Sequence, residues 1–251
     1  MINIKSQKEI EIMQKGGKIL ADTLWEVLKN IKPGVSELEI DALAEKLIRE
    51  KGGEPGFKKV EGYSHTICVS TNDVCVHGIP TDKKFKEGDV VGIDCGVFLD
   101  GFHTDMSETI IVGEKRDEKV VKFLNIGKEA LEEGIKQAQV GNRVGNISRT
   151  IQKIVEFDNG YSVVRTLVGH GVGHDLHEEP EVPGFLMEKL EKTPLLKEGM
   201  VIAVEVIYNM GRPELILDKD GWTLRTKDGE LSGLFERTIA ITKNGPLVLT
   251  K

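Results

Sequence analysis

Two acids in this chain sit where acids are costly. Asp94 closes the run Val90-Val91-Gly92-Ile93-Asp94, and Glu205 closes Val201-Ile202-Ala203-Val204-Glu205. Each run follows the same Lys-Glu-Gly turn, at 86–88 and at 197–199. A carboxylate inside apolar strand sequence is strongly disfavoured unless something compensates its charge. The same arrangement at matching places in two segments points to two acids converging on one cation.

A third acid follows from local geometry. The segments 90–99 and 102–112 flank Asp100-Gly101, a strong two-residue hairpin signal. With that loop Leu99 faces Phe102, Val97 faces Thr104 and Gly96 faces Asp105. Asp94 and Asp105 are then diagonal neighbours on one face, roughly 7 Å apart at the backbone. Two carboxylates that close repel each other and resist ionisation, and a divalent cation between them removes the conflict. The alternation His103, Asp105, Ser107 also fits the solvent face of an exposed hairpin, but that reading leaves Glu205 unexplained in a strand apolar on both faces. Glu236, in Leu234-Phe235-Glu236-Arg237-Thr238, is a fourth candidate, although such an acid alone is more often a salt-bridge partner.

His170 lies in Gly169-His170-Gly171-Val172-Gly173-His174, where glycines let other groups crowd the imidazole. The spacing is not H-E-x-x-H, and no Lys or Ser/Thr completes a phosphate loop. His77 and His177 each open an H-x-x-P, at 77–80 and 177–180. His65 and His174 read as solvated or structural. His103 shares the acid face and reads as an outer neighbour of the ligands. Asp94, Asp105, His170, Glu205 and Glu236 together make a hard, oxygen-rich set. It suits Mn, Fe(II), Co or Zn better than copper. Up to eight carboxylate oxygens are enough for two metals about 3.5–4 Å apart, which would share a bridging hydroxide. The residues thus describe a dinuclear metal hydrolase.

The elements that must carry these groups are legible too. Helical periodicity runs over 7–29 and stops at Pro33-Gly34. Ser36-Glu37-Leu38-Glu39 is a capping box opening a second helix, with Ile40, Leu43, Ala44, Leu47 and Ile48 as its apolar stripe. A third helix is expected over 117–139, and a fourth carrying Ile147, Ile151, Ile154 and Val155 ends near Gly160. Leu24, Leu28, Gly34, Ile40 and Leu47 fall 107 positions before Leu131, Ile135, Gly141, Ile147 and Ile154. Strand-rich sequence follows each helix pair, at 77–112 and 163–249. An internal duplication with halves at about 7–112 and 117–251 accounts for this, inside one catalytic domain spanning 1–251. The fold class is α+β, a central antiparallel sheet covered by helices.

Composition sets the context. The 251 residues are 39% hydrophobic and 30% charged, with a formal charge of −7. That balance argues against a general nucleic-acid binder. No apolar run approaches a membrane span and no signal peptide is evident. The three cysteines, Cys68, Cys75 and Cys95, make no framework. The expectation is a cytoplasmic protein in a reducing compartment, and a monomer.

At these residues the chain resembles the type 1 methionine aminopeptidases, metallopeptidases of the pita-bread fold. The motifs that carry the resemblance are Cys75-Val76-His77-Gly78-Ile79-Pro80, then Asp94 with Asp100-Gly101-Phe102-His103-Thr104-Asp105. Gly169-His170-Gly171 through His177-Glu178-Glu179-Pro180, Val204-Glu205, and Asp220-Gly221-Trp222-Thr223 with Glu236-Arg237-Thr238 complete the set. They run in order over nearly the whole chain. The resemblance implies two pseudo-symmetric halves and two divalent ions (Co, Mn, Fe(II) or Zn) on Asp94, Asp105, His170, Glu205 and Glu236. It implies His77 near the substrate amine or leaving nitrogen, His177 toward the scissile carbonyl oxygen, and Glu205 as both ligand and proton shuttle. The methionine pocket falls on Tyr63, Cys68 and Trp222, and on Phe57, Val60 and Leu176. The substrate would be the N-terminal methionine of peptides and nascent chains, met transiently at the ribosome.

Departures from the family pattern concern that pocket. Val206 follows the glutamate where proline is usual, Leu176 precedes His177 where an aromatic is usual, Val60 replaces a tyrosine, and Phe57 replaces a small residue. Only 27 residues separate His177 from Glu205, too few for the helical insertion of type 2 enzymes. Two alternatives stand beside this reading. An X-Pro aminopeptidase or dipeptidase would use the same scaffold, usually with an extra N-terminal domain. A non-catalytic binding module would usually have lost ligands.

Overall fold

The computed structural model describes residues 2–251. The elements run α1 (Gln7–Asn30), α2 (Glu37–Glu50), β1 (Glu54–Pro55), β2 (Ile67–Thr71), β3 (Val74–Val76), β4 (Val90–Leu99) and β5 (Phe102–Ile111). Then come α3 (Glu118–Lys136), α4 (Val144–Gln152), β6 (Ser162–Val163), β7 (Gly169–Gly171), β8 (Glu178–Val182) and β9 (Val201–Asn209). The chain finishes with β10 (Leu215–Leu217), β11 (Leu224–Thr226), β12 (Ser232–Thr242) and β13 (Gly245–Val248).

Local sequence explains most boundaries. The Ser36–Glu39 box forms: the Glu39 carboxylate accepts the Ser36 N–H at 2.7 Å, and Ser36 Oγ accepts the Glu39 N–H at 3.3 Å. An equivalent box, Ser6 with Glu9, opens α1. Asp117 caps α3 by accepting the Lys119 N–H at 2.7 Å. The fourth helix is regular only to Gln152 and continues as a π-helical turn, Lys153–Phe157. Asp100 and Gly101 both take positive φ, 48° and 92°, as a tight hairpin turn between right-twisted strands requires.

The main sheet is antiparallel, in the order β1-β4-β5-β12-β9-β7-β8, with β2 on β4, β6 on β9 and β13 on β12. A smaller sheet runs β10-β11-β3. Two large apolar cores lie between helices and sheet. One joins Leu20, Leu24, Val27, Ile40 and Ile48 of α1 and α2 to Val91, Ile93, Cys95 and Val97 of β4. The other joins Phe123, Leu131, Ile147 and Ile151 of α3 and α4 to Ile202, Val204, Val206 and Phe235 of β9 and β12. Helices thus cover one side of the strands, and the other side is left to form a cleft. No helix among the described residues is long and apolar enough to cross a membrane.

Candidate metal centre and active site

The expected hairpin register forms: Leu99 pairs with Phe102, Val97 with Thr104, Gly96 with Asp105 and Asp94 with Ser107. Glu236 pairs with Ser107 on one side and with Glu205 on the other, and His170 pairs with Ala203. Asp94, Asp105, Glu236, Glu205 and His170 therefore come from five consecutive strands, β4-β5-β12-β9-β7. The period-two rule puts all five on one sheet face. That face floors a cavity of about 300 Å³ lined by all five residues and by His77 and His177.

Asp105, His170 and Glu236 each offer one ligand atom, and the three atoms lie within 4.8 Å of one another. His170 Nε2 is 3.4 Å from Glu205 Oε1 and 3.9 Å from Asp105 Oδ2. The other ring nitrogen, Nδ1, lies 2.8 Å from the Gly171 carbonyl. An Nδ1–H donated there fixes the tautomer and leaves Nε2 free for a ligand. A side chain at Gly171 would run into the Glu179 carbonyl, so glycine there lets β8 approach β7 closely beside His170.

Burial and mutual repulsion govern the electrostatics of these acids. Burial pushes Asp94 up to about 7. Burial, and then the charges of Asp94 and Glu205, hold Asp105 well above the usual carboxylate range. Glu205 is raised by burial and by Asp94, and Glu236 by burial and the three other acids. Burial, and secondarily His177, pulls His170 down to about 4, leaving a neutral imidazole. Asp94 Oδ1, Glu236 Oε1 and Ser107 Oγ are buried with no hydrogen-bond partner. Ser107 stands in register between Asp94 and Glu236, so these three atoms mark one level of the sheet. Four carboxylates, one imidazole and orphaned oxygens at one spot are the donor set a hard divalent ion requires.

Two histidines stand over this floor. His77 is half-buried with φ +55°, a left-handed conformation uncommon for a residue with a side chain. Burial and the neighbouring His177 lower its pKa. His177 is exposed at the cleft mouth, its ring 4.4 Å from that of His170. Its loop is tied down by the next residue: Glu178 makes a buried 2.5 Å ion pair with Lys5 and accepts a 3.0 Å hydrogen bond from Asn3.

One side of the cavity is an apolar pocket. Phe57, Tyr63, Cys68 and Leu176 are buried together, with Val60 and Trp222 packed on them. The Tyr63 ring meets Trp222 edge-on at 5.1 Å, and its hydroxyl donates to the Ile67 carbonyl at 2.8 Å. Gly96 is required here, since a Cβ would come within 2.7 Å of the Phe57 ring. Thr166, Leu167, Val168, Ile207 and Leu234 also line the cavity, residues that no motif in the sequence marks. The signal was present for the last two, which lie two residues from Glu205 and Glu236 on the same faces.

The remaining histidines stand apart from the cavity lining. His103 shares the acid face but packs against the Phe98 ring, centroids 4.7 Å apart and planes tilted by 57°, nearer the hairpin turn, and burial pulls it down to about 4. His174 is exposed against Phe102 and the Gly101 carbonyl, and His65 lies 3.5 Å from Asp41.

A pita-bread sheet with this acid floor defines a metallopeptidase. The profile of metallopeptidase family M24 matches residues 11–243. A methionine aminopeptidase of Clostridium perfringens is 44% identical over 250 residues, covering 100% of this chain and 99% of that one. The crystal structure of a methionine aminopeptidase from Thermotoga maritima superposes with a TM-score of 0.96 at 40% identity, each chain fully covered. The chain belongs to metallopeptidase family M24, in its methionine aminopeptidase branch. The scaffold is shared more widely: a prolidase from Pyrococcus furiosus gives a TM-score of 0.80 at 27% identity, with 65% of its length covered. These figures favour the methionine aminopeptidase reading over the X-Pro alternative. The family and the buried Asp105-His170-Glu236 group together assign a divalent metal cofactor.

Proposed function

We propose that this metallopeptidase releases the N-terminal methionine of peptides and nascent chains, with Asp94, Asp105, His170, Glu205 and Glu236 as ligands of two divalent ions. The ions would be Co, Mn, Fe(II) or Zn, and when bound they supply a Lewis acid and an acidified water. The observation that carries the reading is the acid cluster itself: four carboxylates from four adjacent strands, with Asp94 Oδ1, Glu236 Oε1 and the Ser107 hydroxyl between them lacking any partner.

The other groups divide the work. Glu205, raised by burial and by Asp94, takes up the proton released as water adds to the carbonyl and hands it to the leaving nitrogen. His177, exposed at the cleft mouth, donates an N–H to the carbonyl oxygen as its negative charge develops. His77, kept neutral, hydrogen-bonds near the substrate amine and leaving nitrogen. Tyr63, Cys68 and Trp222, with Phe57, Val60 and Leu176, receive the methionine side chain; aromatic rings and a thiol suit a thioether. Residues 1–251 act as one catalytic domain with duplicated halves. The enzyme works as a monomer in the cytoplasm, where its three free cysteines stay reduced, and meets nascent chains transiently at the ribosome.

Methionine release from Met-Ala-Ser peptides, with added Mn(II) or Co(II), tests the activity. Ala-Pro substrates should be inert. Turnover of Ala-Pro but not Met-Ala would replace this reading with the X-Pro one, and no turnover with any divalent ion would defeat both. Metal titration of the metal-free protein should saturate at two ions per chain.

A further inference from the structure

The five ligand strands are not joined alike. The β4–β5 ladder runs from Val90–Ile111 to Leu99–Phe102, and the β9–β12 ladder from Ser232–Asn209 to Ala240–Val201. Between them, β5 and β12 are in register only at Glu236–Ser107 and Arg237–Met106. This short seam separates Asp94 and Asp105 from Glu205, Glu236 and His170, and all of them must meet across it.

Two residues to either side of the Ser107–Glu236 pair, a threonine hydroxyl steps in where main-chain pairing stops. Thr238 Oγ1 accepts the Asp105 N–H at 2.9 Å and donates to the Asp105 carbonyl at 2.8 Å. Thr109 Oγ1 donates to the Leu234 carbonyl at 2.7 Å and accepts the Leu234 N–H at 3.0 Å. A hydroxyl is the small group that can serve a donor and an acceptor at once. Both threonines are buried, so neither peptide has water to turn to. Behind the sheet, Arg237 donates to the Ser107 and Glu236 carbonyls at 2.9 and 2.7 Å.

The two clips differ in what they hold. Thr109 holds Leu234, which carries no ligand. Thr238 holds the backbone of Asp105 from the strand of Glu236, two residues away. The Asp105 side chain is oriented in turn, its Oδ1 accepting the Met106 N–H at 3.0 Å while Oδ2 faces His170.

We propose that Thr238 is a positioning residue for the metal centre: its hydroxyl fixes the separation of Asp105 from Glu236 across the β5–β12 seam. This rests on the metal-site reading above. Partners that orient ligands in this way are worth about 10- to 100-fold in metal affinity. Thr109, the same clip without a ligand, supplies an internal comparison.

The test is Co(II) or Mn(II) titration of metal-free full-length protein, with thermal unfolding of the same samples. Thr238→Val should weaken binding at least about tenfold, and Thr238→Ser should restore it. Thr109→Val should lower the metal-free unfolding temperature as Thr238→Val does, yet bind metal as the unaltered protein does. Equal affinity of Thr238→Val and the unaltered protein overturns the proposal. So does an equal loss in Thr109→Val, which would make the seam a matter of stability alone. If Thr238→Val does not fold, amide hydrogen exchange in the unaltered protein decides. The Asp105 amide should then exchange as slowly as those of the β4–β5 ladder, and rapid exchange refutes the clip. Failure of the unaltered protein to bind metal strikes instead at the functional reading.

Discussion

Glu37, Asp41 and Glu108 are buried acids with partners. Glu37 accepts from both threonine hydroxyls, Thr71 and Thr81, each at 2.9 Å. Asp41 accepts the Thr66 and Ile67 N–H groups at 2.8 and 3.0 Å. Glu108 lies between Lys128 at 2.9 Å and Arg237 at 2.7 Å. Asp94, Asp105, Glu205 and Glu236, on the other face of the sheet from Glu108, have chiefly one another. The first group is finished by the polypeptide, each acid joining segments distant in sequence. The second is left unfinished by the polypeptide, and on the proposed reading a cation completes it. Burial alone does not mark a functional carboxylate; the mismatch between burial and partners does.

The sharpest way to break this contrast is to remove charge from the unfinished group. Glu205→Gln should lower kcat for methionine release by at least about 10²-fold, with the circular dichroism spectrum unchanged. A variant retaining full turnover would show that Glu205 moves no proton. Glu236→Gln should weaken metal binding by about 10-fold or more. In metal-free protein at pH 8 the same change relieves repulsion, so its unfolding temperature should rise. A fall there would mean that Glu236 already has a compensating partner.

The finished group should behave in the opposite way. Glu37→Ala strips acceptors from Thr71 and Thr81 and should cost about 2 kcal/mol of stability. The loss should be the same with and without metal, read by urea unfolding. In the pocket, Trp222→Ala should raise KM for Met-Ala-Ser about tenfold, roughly 1.4 kcal/mol, with kcat changed less.

A pH series sharpens the comparison further. Asp94 has a folded-state pKa raised to about 7 from an ordinary 3.8. The folded, metal-free protein therefore holds more protons than the unfolded chain between those values, so its stability falls as pH rises through that window. Saturating metal should remove the decline. A metal-free protein whose stability rises over the same range would refute the unfinished group.

Much of this was readable before any coordinates. The Ser36–Glu39 box, the α1 and α2 stripes, and the Asp100-Gly101 turn rest on contacts within a few residues. The Ser6–Glu9 box obeys the same spacing rule and was there to be found. The hairpin register, and with it the Asp94–Asp105 diagonal, followed from loop length and the period of two. The π-helical end of the fourth helix did not follow, because Ile154 and Val155 keep the apolar stripe going while the hydrogen-bond step changes.

Amino-acid order by itself determined that Asp94 and Glu205 would sit in apolar strand sequence, and therefore that something must compensate their charge. Alternation, turn chemistry and capping act over short spans, and the chain carries them wherever it folds. Only the tertiary structure decided that β12 lies between β5 and β9, which turns four scattered acids into neighbours. It alone set His77 in a left-handed backbone, joined Lys5 to Glu178, and put Thr238 across the seam from Asp105. Those relations join segments far apart in sequence, and no local preference encodes which distant partner a strand edge will meet.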